Sequence, residues 1–399
     1  MTDSSYKLSN SIKQSQKHLL WINTDPLETL GVGTWLYTTH ELRQLGWQVT
    51  LIAPDSAGIH KKFDIEYLGI PMPKVYLIRQ IIYHLRILSY LFRLPEKPQI
   101  ILFHEMSVPV FFPVLLLRNL IGKQTPLFVL DIRSLPMQPK EISSWKDRLR
   151  RRYFYAINWL ANHGAVDGRV VITQPMARVL KIPPQKLWGV WTSGVQLEKF
   201  AEASSKRNWG IARQQVRLMY IGSMSDGRNL TVFGRAVLAA CRQNMNFTMT
   251  FIGEGTEMND LLLLQKESEG IIQVIAHVPH QEIPDWLAKA HVGVLPFPDE
   301  IKFRVSSPIK LFEYMASGLA ILATRIECHT SVIENADYVF WAKESSIDSF
   351  LETLHLVWEN REQLAIMGKR ASEAAYQWTW AESARALSQA LEYGIRQYG

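Results

Sequence analysis

Two cysteines, Cys241 and Cys328, are all that 399 residues offer. That excludes a disulfide framework, and neither stands in a metal-ligand spacing, so a reducing compartment is expected. Long apolar runs are missing too. VPVFFPVLLL, broken by Pro109 and Pro113, is about half the roughly 18 residues that a membrane span needs. The polar opening MTDSSYKLSNSIKQSQKHLLWIN lacks the apolar core of a signal peptide, which predicts a chain that is not secreted. No Asp-x-Asp pair ends a candidate strand to hold a divalent cation.

What is present is globular: 47% hydrophobic, 20% charged and 11% aromatic residues, with a net charge of +7. The length favours two domains, and the basic balance favours an anionic partner. In the first half, HLLWIN, WQVTLIAP, PQIILFHE and PLFVLDIR read as buried strands alternating with helical patterns. In the second half RLMYIGSM, NFTMTFIGEG, IIQVIAHV, HVGVLPF and LAILAT repeat the alternation. The tail from about Ser345 is helical in pattern, and AEASSKRNWGIARQQ reads as a linker. The pattern is α/β: two doubly wound Rossmann-like halves with parallel sheets, whose ligands bind outside the carboxyl ends of the strands, here in a cleft between halves. The expected boundaries are 1–200, 201–375 and a C-terminal helix, 376–399, packing back on the first domain.

The stretch SSPIKLFEYMASGLAILATRI, Ser306 to Ile326, carries the sharpest chemistry. Ser307 suits an N-cap, Pro308 the first helical position and Gly318 a left-handed helix end. The helix start offers unpaired N–H groups to an anion. Lys310 adds a positive charge, and Glu313, three residues on, offers a carboxylate to a vicinal diol. A plain solvent-exposed Lys–Glu pair is the competing reading.

Together with LGVGTWLYTTHELRQLGWQVTLIAP, WTSGVQLEKF, YIGSMSDGRNL, FIGEGTEMNDL and VPHQEIPDWLAKAHVGVLPF, in that order along most of the chain, this stretch resembles family 4 glycosyltransferases. Those are retaining enzymes of the GT-B fold. The resemblance implies a hexosyl-type transferase taking a nucleoside diphosphate sugar to a glycan or lipid-linked acceptor. It also implies front-face displacement without a metal or other cofactor, the leaving phosphate taking the acceptor's proton. Residue by residue, it places Gly31 and Gly33 in a phosphate-approaching turn, and Gly222 and Arg228 in the diphosphate loop. Ser307, Lys310 and Glu313 fall on the nucleotide helix, and His104 beside the donor sugar. The catalytic set is then His104, Arg228, Lys310 and Glu313.

Two positions depart from the family pattern. Ser223 stands where an arginine is usual, a loss that Lys310 or Arg304 could offset. Val305 stands where the first of two paired glutamates is usual, with Glu300 or Asp299 as substitutes. These departures keep a degenerate GT-B scaffold, or an epimerase of the same fold, as alternatives. A Rossmann oxidoreductase fits less well, since GVGTWL lacks the third glycine and Asp55 is a loose candidate for the acidic residue. No nucleic-acid-binding module is apparent.

Two stretches suggest an anionic membrane surface, hence a cytoplasmic protein peripheral to the inner face. In 74–93, Arg79, Arg86 and Arg93 recur every seven residues with Tyr83 and Tyr90 between them. In 145–160, Arg148, Arg150, Arg151 and Arg152 lie beside aromatics. Both patterns suit interfacial helices.

Overall fold

The computed structural model describes residues 17–27, 32–62, 64–75, 78–122, 125–136, 144–225 and 227–399. In it the short apolar runs become strands. The first sheet holds β1 (Lys17–Ile22), β2 (Trp47–Pro54), β3 (Gly58–Lys62), β4 (Ile65–Ile70), β5 (Ile100–Phe103), β6 (Leu127–Ile132), β7 (Gly168–Val171) and β8 (Leu187–Val190). Their order is β3-β4-β2-β1-β5-β6-β7-β8. β1 runs parallel to both neighbours, with Leu19 opposite Val49 and Ile100. β5 and β6 are buried at every position, which is why they are written as unbroken apolar runs. The β3–β4 pair is antiparallel. It was not foreseen, because GIHKK carries no apolar alternation.

The second sheet holds β9 (Val216–Ile221), β10 (Phe247–Ile252), β11 (Ile272–Ile275), β12 (Val292–Leu295), β13 (Ala320–Thr324) and β14 (Val339–Ala342). Its order, β11-β10-β9-β12-β13-β14, reverses direction between β9 and β12. β9 pairs in parallel with β10 and with β12. That reversal opens a crevice at the carboxyl ends of β9 and β12, the place where such sheets hold ligands. The first sheet reverses in the same way between β1 and β5.

The chain divides into two compact units, one of residues 1–131, 164–169 and 388–399, the other of 132–163 and 170–387. Within the first unit the last turns of the helix Trp380–Tyr398 are tied down: Lys17 Nζ lies 2.7 Å from Glu392 Oε1, and Trp47 Nε1 donates to Ser388 Oγ at 2.8 Å. Within the second, Phe233, Phe251, Tyr314 and Phe350 belong to one continuous core.

The stretch 201–215, which reads as a linker, is folded. The helix Leu197–Lys206 buries Phe200 and Ala203. Arg207 is buried, donating to the carbonyls of Ala290 (2.5 Å), Gly318 (2.7 Å) and Leu287 (3.0 Å). The guanidinium fork satisfies three backbone acceptors at once, so a residue that looks like linker polarity is a core fastening.

Candidate functional site

The site of the second unit begins where β9 ends. Gly222 follows Ile221 with φ +140°, and a Cβ there would stand 1.9 Å from Lys310 Cε and 2.4 Å from its Nζ. The lysine stem therefore lies flat on the glycine backbone. Two more glycines lock the neighbouring turn. A Cβ on Gly253 (φ +147°) would meet the Gly222 carbonyl oxygen at 1.9 Å, and one on Gly255 (φ +158°) would meet the Met224 carbonyl carbon at 2.3 Å. With no side chains between them the two turns bond directly, Gly222 N–H to Ile252 O and Met224 N–H to Glu254 O, both at 2.8 Å. Tyr314 fixes the strand end from below, its hydroxyl accepting from Ile221 N–H at 3.0 Å.

Lys310 and Glu313 both belong to the helix Ile309–Ala316, which ends through Gly318 at φ +65° as the sequence predicts. Its start differs from the prediction. Pro308 is the N-cap and no side chain caps the helix. Ser307 Oγ instead accepts from Ser193 N–H at 3.1 Å, so the serine is spent on joining two segments of the second unit.

Arg228 lies in the same loop system, half-buried, its guanidinium 5.1 Å from the Phe297 ring centroid and 5.7 Å from that of Phe303. The two rings stack on each other with centroids 5.0 Å apart. Aromatic faces thus hold the cation without neutralising it. Its Nε is buried and has no hydrogen-bond partner. Lys310 Nζ sits 5.9 Å from the Tyr220 ring centroid. Burial, then the Arg228 charge, push its pKa down to about 8, against an opposing pull from Glu313. Among the described residues neither Arg228 nor Lys310 forms an ion pair. A lysine over bare backbone, with a second cation near enough to depress its pKa and no carboxylate pairing with either among the described residues, suits an anion.

The Lys310–Glu313 surface pair does not form. Glu313 is buried and its Oε1 lies 3.5 Å from His280 Nε2. His280 Nδ1 in turn lies 2.5 Å from Lys199 Nζ. Sequence reading passed over His280 and Lys199, which sit far apart in the chain and meet only in the fold. It also passed over Lys302, buried at 6% exposure, with Nζ 3.0 Å from Glu300 Oε2 and 3.2 Å from the Cβ position of Gly227. The nearest sequence signal is the charge-rich run Asp299–Arg304, which resembles solvent-facing loop.

Of the substitutes proposed for the two departures, Arg304, Asp299 and Glu300 are engaged elsewhere, and Lys310 is not. Arg304 forms a two-point pair with Asp299, at 2.5 and 2.7 Å, and Glu300 is held by Lys302. Val305 is a core residue, 1% exposed, whose carbonyl accepts from Thr173 Oγ1 at 2.6 Å. A glutamate there would be buried among apolar groups, so the position has become part of the packing.

In the first unit His104 follows β5 at the sheet reversal. Its Nδ1 lies 2.7 Å from Glu105 Oε2. Burial alone would lower its pKa, but Glu105, Asp131 and Asp25 together raise it. Gly33 lies in the first turn of the helix Val32–Gln44, where a Cβ would touch only the Tyr37 ring, at 3.0 Å. Gly31 lies outside the described residues. Among the described residues no three His, Cys, Asp or Glu side chains gather as a metal-ligand set, and no helix is long and apolar enough to cross a membrane.

Solved structures share this architecture. The chain superposes on a sucrose-phosphate synthase from Thermosynechococcus elongatus with a TM-score of 0.69 at 15% identity, covering 94% of this chain and 98% of that one. The match to HepE of Anabaena, solved with UDP and glucose, has a TM-score of 0.68 at 11% identity over 94% and 99% of the two chains. WaaG, a glycosyltransferase involved in lipopolysaccharide biosynthesis, matches with a TM-score of 0.66 at 14% identity over 96% and 100%. The fold is GT-B, two Rossmann-like sheets in one chain. Residues 215–360, which contain every site residue of the second unit except Lys199 and the core contacts before it, match the family model described as Glycosyl transferases group 1. Comparison with curated protein sequences finds no match.

Proposed function

We propose that the protein moves a sugar from a nucleoside diphosphate sugar, UDP- or GDP-linked, to a hydroxyl of a glycan or lipid-linked acceptor with retention of configuration. One observation carries this reading: Lys310 lies over the Gly222 backbone at the carboxyl end of β9, Arg228 is near enough to depress its pKa, and among the described residues neither forms an ion pair. A diphosphate supplies the charge they lack, and Glu313 accepts from the ribose hydroxyls. HepE, of the same fold, is solved with UDP and glucose, which supports the choice of donor class.

In the reaction the bond from the anomeric carbon to the diphosphate oxygen breaks as the bond to the acceptor oxygen forms on the same face. The acceptor proton passes to the departing phosphate oxygen. Arg228 and Lys310 stabilise the negative charge that develops there. They provide the counter-charge that a divalent cation otherwise supplies, so the reaction is taken to need no metal or other cofactor. His104, with its raised pKa, is assigned to the donor sugar, and the turn of Gly31 and Gly33 to its phosphate.

Thermal unfolding with UDP, GDP, ADP and dTDP tests the reading. Stabilisation by one of them, lost in Glu313→Ala, is expected; at about 100 times the dissociation constant it amounts to roughly 2.7 kcal/mol. No stabilisation by any of the four would favour the scaffold reading. Transfer that persists in EDTA, with the product's anomeric configuration read by NMR, tests the metal-free retaining step.

The acceptor side is taken to work at an anionic membrane surface on the cytoplasmic side. The helix Arg79–Arg93 exposes Ile81, Leu85 and Phe92 beside Arg86 and Arg93, while Tyr83, which falls between the recurring arginines in sequence, is buried and donates to Asn23 O at 2.7 Å. The helix Trp145–Leu160 exposes Trp145, Leu149, Tyr155 and Trp159 among its arginines. Apolar residues flanked by arginines suit insertion at the headgroup level. Salt-sensitive pelleting with phosphatidylglycerol vesicles, absent with phosphatidylcholine alone, is the expected result.

A further inference from the structure

We propose that His280 and Lys199 are positioning residues that hold the Glu313 carboxylate ready for the donor's ribose. The inference rests on the nucleoside diphosphate reading of the site and concerns residues that reading does not use. Three elements of the second unit converge here: Lys199 from the helix Leu197–Lys206, His280 from the segment before the helix Ile283–Leu287, and Glu313 from the helix Ile309–Ala316.

Donor and acceptor chemistry fixes the arrangement. An ammonium has three donors and no acceptor, so at 2.5 Å from Lys199 Nζ the His280 Nδ1 must be the acceptor. The imidazole proton then resides on Nε2, which lies 3.5 Å from Glu313 Oε1. One ring thus accepts from a cation on one side and sets its protonated nitrogen within ion-pair range of a carboxylate on the other. The Phe200 ring, 2% exposed, meets His280 edge-on with centroids 6.4 Å apart. Phe200 follows Lys199 directly in the chain, so the core that seats the phenyl ring also sets the lysine. Burial lowers the Lys199 pKa, with Glu313 opposing.

The consequence for binding is directional. With Oε1 paired to His280 at 3.5 Å, turning of the carboxylate is restrained, which favours one direction for its other oxygen. A diol needs two acceptor directions set at once, so freezing the carboxylate removes an ordering cost from donor binding. His280 itself is exposed, and removing it need not disturb the core. A histidine kept only for packing would contribute nothing specific to the ribose hydroxyls.

The test compares UDP, GDP, ADP and CDP with their 2′,3′-dideoxy forms by calorimetry, on wild type, His280→Ala, His280→Gln and Lys199→Met. Hydrogen bonds to a charged group predict that wild type prefers one ribonucleotide over its dideoxy form by about tenfold or more. His280→Ala should reduce that preference to below about threefold, mostly by weakening the ribonucleotide. His280→Gln should restore it, because a carboxamide can accept from Lys199 and donate to Glu313. Lys199→Met should weaken it and shift the His280 ring nitrogen resonances away from a pure Nε2–H tautomer. A wild-type preference that survives in His280→Ala overturns the proposal while leaving the nucleotide site standing. No wild-type preference, or no binding of any of the nucleotides, overturns the assignment of Glu313 to ribose and this proposal with it.

Discussion

The two glycine turns of this protein look alike in sequence and differ in space. Each follows an apolar strand at a sheet reversal and leads toward a helix, LGVGTWL after β1 and YIGSMSDG at the end of β9. Gly33 sits in an ordinary helical turn, and only the Tyr37 ring would meet a Cβ there. Gly222 lies at φ +140° beneath the Lys310 stem, with Gly253 pressed on its carbonyl. One glycine leaves room and the other is a geometric requirement. A glycine motif therefore states where backbone can be approached, and only the packing around it states what approaches. At Gly222 it is the protein's own lysine.

Substitutions can break that contrast. The largest effect is expected from Gly222→Ala, which adds backbone strain at positive φ and expels the Lys310 side chain. A loss on the order of 2–4 kcal/mol in unfolding free energy should accompany loss of nucleotide-induced stabilisation, both read in denaturant titrations with and without nucleotide. Glu313→Ala comes next. Its fold should survive, with kcat/KM for the donor falling by about a hundredfold. Arg228→Met removes a fork-shaped cation held by two aromatic rings. A loss of about tenfold or more in kcat/KM is expected, with methionine still filling the space over Phe297 and Phe303.

A subtler effect is a pH dependence. Lys310 has a pKa pushed down to about 8, by burial first and by Arg228 second. Its charge is present below that value and fades above it, so the KM for an anionic donor should rise as pH passes 8. Lys310→Met should flatten the profile. For folding the sign is opposite, because the native state disfavours the ammonium relative to the unfolded chain. The wild type should gain stability, relative to Lys310→Met, as pH rises from about 8 toward the ordinary lysine value. A donor KM that does not move between pH 7 and 9 would remove Lys310 from the diphosphate. The smallest effect is expected for Gly33→Ala. Tyr37 can give way, so stability should change by less than about 1 kcal/mol. Donor affinity should change by less than about threefold, and a larger loss would make the first turn as demanding as the second.

Most strands were legible because burial on both faces forces an unbroken apolar run, as in PQIILFHE and NFTMTFIGEG. The hairpin of β3 and β4 was not, since half of it is polar and exposed. Residues 201–215, Arg207 among them, read as linker because the three carbonyls that bury the guanidinium lie about 80 to 110 residues away, beyond any local pattern. In the site, Lys310, Glu313 and Gly318 were visible as neighbours on one helix. The role of Ser307 was misread, as capping signals cannot reveal that a backbone N–H from Ser193 claims the hydroxyl.

By itself the sequence determined the doubly wound architecture, the helix that carries Lys310 and Glu313, and the glycines at the strand ends. These follow from local periodicity and from the backbone freedom of single residues. The tertiary structure alone decided which charges remain unpaired and which are spent. Asp299 holds Arg304, Glu300 holds Lys302, and Glu313 turns from Lys310 toward His280 and Lys199. Electrostatic partnership falls off over a few ångströms, so it is settled by distances between residues far apart in the chain, which no local pattern of residues encodes.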